Sequence, residues 1–93
     1  MEQTIKVMEF DKLDSAVKDD VIGRCIDDII AFTDWDRLSH RTNLWKAYRE
    51  CEAMRTPWFL GSYIWDKCKR LVLRTCREYL YTADGLYSVS KAR

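Results

Sequence analysis

Residues 56–81 read TPWFLGSYIWDKCKRLVLRTCREYLY, and the rest of the chain is best organised around them. Thr56 followed by Pro57 is a helix start signal. The threonine hydroxyl can accept from the first free N–H groups, and proline suits a position whose N–H has no partner. Leu60, Ile64, Cys68, Leu71, Val72 and Cys76 then recur at helical spacing. Trp58, Phe59, Tyr63 and Trp65 widen this stripe, so the sequence predicts cover from more than one neighbour. Lys67, Arg70, Arg74 and Arg77 fall on another face, within about 80° of one another at roughly 100° per residue. One segment thus carries both the largest apolar content and the densest positive charge.

Before this helix, residues 43–54 place Leu44, Trp45, Tyr48 and Cys51 on one side. Arg41, Lys46, Arg49, Glu50 and Glu52 fall outside that stripe. This predicts a helix starting at Arg37 or Thr42 and ending near Met54. Upstream, Val17, Val21, Ile22, Cys25, Ile26, Ile29 and Ile30 form a clean stripe to about Phe32, with Asp14 as candidate cap and Leu13 as hydrophobic staple. Gly23 costs this helix roughly 1 kcal/mol relative to alanine and suggests a close approach. Residues 4–10 alternate weakly and read as a short strand. Residues 78–82 and 86–89, separated by Ala83-Asp84-Gly85, read as a hairpin. A lone hairpin is marginal, so the N-terminal strand is expected to join it. The expected fold is α+β and mainly helical: three helices with a small antiparallel sheet formed by the N-terminal strand and a C-terminal hairpin. The chain is expected to be one domain over residues 1–93, with residues 90–93 a disordered tail.

At 93 residues and 47% apolar, with four tryptophans, five tyrosines and three phenylalanines, the chain has material for one core. No run approaches the roughly 18 uncharged apolar residues of a membrane span. The opening MEQTIKVMEF is too charged for a secretory signal. A cytoplasmic location is therefore expected, and Cys25, Cys51, Cys68 and Cys76 are expected as buried thiols rather than disulfides. They contain no closely spaced pair, which also argues against a zinc site built from them and His40.

Net charge is +1, but residues 1–36 carry ten acids against four bases, and residues 37–93 carry twelve bases against five acids. Asp19, Asp20, Asp27, Asp28, Asp34 and Asp36 make an acidic face. Asp27 and Asp28 sit near a helix C-terminus, where the dipole disfavours them, and bases from the second half are expected to compensate them. Catalytic chemistry is thinly supplied. His40 is the only histidine, the serines lie outside any nucleophile elbow, and the three glycines are isolated. No catalytic residue, cofactor or metal is expected.

The segment from Lys6 to Asp14 (KVMEFDKLD), with Ala16, Lys18, Val21 and Ile22, resembles the opening of many small bacteriophage and prophage proteins, in which a short strand ending in E-F-D-x-L leads into an acidic helix. The T-P-W-F-x-G-S-Y segment from Thr56 and the run from Cys76 to Tyr87 are similar to the same group. The likeness covers about half the chain, although the basic content of residues 67–77 is heavier than in that group. It implies an accessory protein, of the kind that binds and inhibits host proteins, bacterial defence components such as CRISPR effectors being the leading class (an anti-CRISPR role). It carries over no functional residue, and it implies the cytoplasm of the host bacterium as the location.

Two interaction surfaces follow from the residues. The first is basic and aromatic: Trp58, Trp65, Lys67, Arg70, Arg74, Arg77 and Tyr81, residue types that dominate binding hot spots. The second is the acidic face. A host protein is the expected partner, and a homodimer is compatible with the aromatic supply. The competing class is a small nucleic-acid-binding regulator that runs the basic stripe along a phosphate backbone. Against it stand a pI near 7.6, the absence of a helix-turn-helix signature and Asp66, placed to pair with Arg70.

Overall fold

The computed structural model describes residues 6–91. Its elements are strand β1 (Met8–Glu9), a 3-10 turn (Phe10–Lys12), helix α1 (Ser15–Phe32), helix α2 (Asn43–Ala53), a second 3-10 turn (Pro57–Phe59), helix α3 (Leu60–Cys76), and strands β2 (Tyr79–Tyr81) and β3 (Ser88–Ser90). The sheet is antiparallel with order β1-β2-β3. The mainly helical α+β fold expected from the sequence is the one observed. Thr4 and Ile5 of the anticipated first strand lie outside the described residues.

Helix α3 is the spine. α1 and α2 both pack along it and have little direct contact with each other, which makes the molecule elongated, 55 × 28 × 20 Å. The core follows the sequence stripes. Val21 and Ile26 of α1, Leu44, Ala47 and Cys51 of α2, and Ile64, Cys68, Val72 and Cys76 of α3 are all buried, with Phe10, Leu13 and Tyr81 closing the sheet end. Full burial of the larger of these, the valine, leucine, isoleucine and phenylalanine side chains, contributes roughly 1.5–3 kcal/mol each.

Thr42, one of the two starts the sequence offered for α2, caps it, its hydroxyl accepting from the Trp45 N–H at 3.1 Å. Two other helix starts depart from expectation. Asp14 occupies the cap position of α1 without a side-chain bond to it, while Leu13 is buried. Thr56 makes no cap either. Its backbone (φ −124°, ψ 60°) leads into a 3-10 turn, and its hydroxyl is buried without a hydrogen-bond partner. The backbone of α3 also leaves helical geometry at Cys68 (φ −124°, ψ 26°), with no proline or glycine within a turn of it.

The hairpin connection is longer than the three residues, Ala83-Asp84-Gly85, expected from the sequence. Six residues separate β2 from β3, and their own groups hold them. The Gly85 N–H donates to the Thr82 carbonyl at 2.8 Å, and Asp84 accepts from the Thr82 hydroxyl at 2.6 Å and the Leu86 N–H at 3.0 Å. Those two bonds, the hydroxyl's first, hold the Asp84 carboxyl below its ordinary pKa. Ser90 belongs to β3 and the Lys91 N–H bonds the Glu78 carbonyl at 2.9 Å. The sheet therefore runs into the segment expected to be loose, and the last two residues lie outside the described range.

Candidate functional site

The basic–aromatic surface is divided by the fold. Trp58 is 73% exposed and stands beside Phe59, ring centroids 6.0 Å apart, with Met54 and Arg55 also in solvent. These residues precede α3 and form an aromatic knob. Trp65 is half-buried and packed against the core, with the Lys69 ammonium 5.0 Å from its ring centre. Tyr81 is buried, and its hydroxyl donates to the Cys76 carbonyl at 2.8 Å, so it belongs to the core and not to an accessible surface. Tyr79 and Tyr81, two residues apart, share one face of β2; Tyr81 is covered there by Phe10 and the end of α3, while Tyr79 at the start of the strand stays exposed.

The cationic stripe is also interrupted. Lys67 pairs with Glu50 of α2 at 2.7 Å, and the Glu50 carboxylate raises its pKa. Arg77 grips Asp11 through Nε at 3.1 and 3.2 Å. Arg70 and Arg74 are exposed with no ion pair among those formed by the described residues, and the anticipated Asp66–Arg70 pair is not made. Two of the four bases are thus engaged within the molecule, which shortens any phosphate-tracking line.

The acidic face is exposed throughout: Asp19, Asp20, Asp27, Asp28, Asp34 and Asp36 all stand in solvent. Asp34 pairs with Arg37 at 3.6 Å. The compensation expected for Asp27 and Asp28 is absent among the described residues. Arg24, one turn before Asp28, is turned away to donate to the Gly85 carbonyl. Nor does Gly23 mark a close approach. A Cβ there would meet nothing within 4 Å, whereas one at Gly85 would lie 2.6 Å from a Val17 methyl. The close approach lies at the hairpin, where φ is +73°.

That approach builds a feature with no counterpart in the sequence patterns, a groove of about 570 Å³ between the second half of α1, the end of α3 and the hairpin. Phe32, 85% exposed, and Leu86, 63% exposed, stand on its lining, with Arg24, Asp28 and Tyr79. Cys25 and Cys76 meet there. The neighbouring Cys76 side chain holds the Cys25 thiol below its ordinary pKa although burial, Asp28 and Glu78 oppose the shift. All four cysteines are free, with Cys51 donating to the Thr56 carbonyl at 3.0 Å. His40 neither caps a helix nor meets a thiol; it stacks on Trp45 at 4.4 Å. Among the described residues no group of three or more His, Cys, Asp or Glu side chains is arranged to hold a metal, and no helix is long and apolar enough to cross a membrane.

Which residues would meet could not be read from one-dimensional patterns. The only advance signal for the groove was Asp84-Gly85, which marks a turn but not what the turn leans against. Comparison with known proteins adds no assignment: no protein family model, no curated protein and no solved structure matches this chain.

Proposed function

We propose that this chain is a non-enzymatic accessory protein that acts by binding another protein, with the aromatic knob of Met54, Arg55, Trp58 and Phe59 as its principal contact. The observation that carries this is the exposure of Trp58 and Phe59 side by side at the start of α3. Leaving two large aromatic rings in water forgoes the burial that stabilises a small domain. Trp, Tyr and Arg are also the residue types that anchor interfaces. The resemblance to small phage proteins makes a host protein the partner class to test first, a bacterial defence component such as a CRISPR effector above all, with inhibition as the outcome of binding.

Affinity capture from a bacterial lysate, with and without nuclease treatment, tests this, using wild type, a Trp58→Ala/Phe59→Ala variant and an Arg70→Glu/Arg74→Glu variant. A discrete protein retained by wild type and lost with the aromatic variant supports the knob. Loss only with the arginine variant moves the contact to α3. Recovery abolished by nuclease, with affinity falling steeply in salt, would replace this reading with the nucleic-acid one.

A further inference from the structure

We propose that Cys25 and Cys76 form a redox-reactive dithiol: Cys25 is the attacking sulfur, Cys76 the resolving one, and small disulfides of the glutathione class oxidise the pair to an intramolecular bridge between α1 and α3. The two thiols come from different helices and meet on the lining of the groove. The Cys25 S–H donates to the Val72 carbonyl at 3.9 Å, and Val72 lies one turn before Cys76, so the Cys25 sulfur sits against the turn of α3 that carries Cys76. Cys25 is half-buried and the groove opens onto it, whereas Cys76 is 1% exposed. An accessible sulfur backed by a buried one is the arrangement that thiol–disulfide exchange requires. The other two thiols lack it. Cys51 is buried and bonded to the Thr56 carbonyl, and Cys68 is buried, which pushes its pKa up.

The step balances without a further reagent. The Cys25 thiolate attacks one sulfur of the small disulfide, forming a mixed disulfide and expelling one small thiolate. Cys76 then loses its proton, attacks the Cys25 sulfur and expels the second. The protein dithiol is oxidised by two electrons, and one small disulfide is reduced to two thiols.

The test is incubation of the native wild-type protein with oxidised glutathione, followed by alkylation, intact mass and peptide mapping. The expected product has lost two hydrogens, carries a single Cys25–Cys76 cross-link and leaves Cys51 and Cys68 alkylated. Its melting temperature should rise by roughly 5 °C or more over the reduced form, because a long loop is closed in the unfolded chain. A Cys76→Ser variant should stop at a stable glutathione adduct on Cys25. A Cys25→Ser variant should react at least about tenfold more slowly than wild type. The wild-type mapping alone decides the proposal if either variant fails to fold. Four free thiols, a persistent adduct on Cys25 in wild type, or a bridge that uses Cys51 or Cys68 would each overturn it.

Discussion

The two ends of α3 are built on opposite terms. At its C-terminal end the chain closes on itself. The Tyr81 hydroxyl bonds the Cys76 carbonyl, Arg24 reaches across to the Gly85 carbonyl, and Gly85 sits against Val17 and Val21. At the N-terminal end the bonding is incomplete. Thr56 buries a hydroxyl with no partner, Arg55 adopts a φ of +55°, and Trp58 and Phe59 face solvent. Cross-element bonding is concentrated at the C-terminal end, although large apolar side chains (Phe32, Leu86 and Tyr87) stand exposed there as well. Exposed aromatic rings and an unsatisfied hydroxyl add little to folding, and the proposed binding role rests on that exposure.

Substitution at the closed end should cost most. Gly85→Val places a branched side chain at φ +73° with its Cβ 2.6 Å from a Val17 methyl. Strain and overpacking together should lower unfolding free energy by about 3 kcal/mol in urea denaturation. A loss below about 1 kcal/mol would mean that the hairpin is not held against α1.

Tyr81→Phe comes next, with an expected loss of about 1–2 kcal/mol from the bond to the Cys76 carbonyl. Tyr81 also has a pH signature. Burial, with the neighbouring Cys76 thiol, pushes its pKa from 10.0 up to about 12. The folded state holds the phenolic proton more tightly than the unfolded state. This contribution is therefore complete below about pH 10 and is lost as pH rises towards about 12. The phenylalanine variant should lack that alkaline fall, which melting temperatures across the range would reveal.

The open end should respond in the other direction. Thr56→Val removes a buried hydroxyl that has no partner and should leave stability unchanged or raise it by up to about 1 kcal/mol. A loss of more than about 1 kcal/mol would show that this hydroxyl is bonded in solution, and the contrast between the two ends would narrow.

Trp58→Ala should have the smallest effect on folding, within about 0.5 kcal/mol in the same denaturation assay, because the ring is 73% exposed. Loss of captured partner with unchanged stability would separate recognition from folding. A large destabilisation would place the ring in the core and remove the knob as a surface.

The sequence by itself determined the elements and their inner faces. The period of Leu60, Ile64, Cys68, Val72 and Cys76 defined α3 because a buried helix face must repeat every three or four residues. Val21 and Ile26, and Leu44 and Cys51, did the same for α1 and α2. Asp84-Gly85 marked the hairpin, and the marginal stability of a lone hairpin called for a third strand. What only the tertiary structure decided was the fate of side chains off those faces. That Tyr81 and not Tyr79, on the same face of β2, was covered depended on Phe10 and the Cys76 carbonyl arriving at its end of the strand. Whether Lys67 and Arg77 were free depended on Glu50 and Asp11 arriving from elsewhere in the chain. The bend at Cys68 has no proline or glycine to announce it. The groove and the Cys25–Cys76 pair required α1, α3 and the hairpin to converge. Local periodicity reports which face of an element is apolar. It contains no information on which other element that face, or the polar one opposite, will meet.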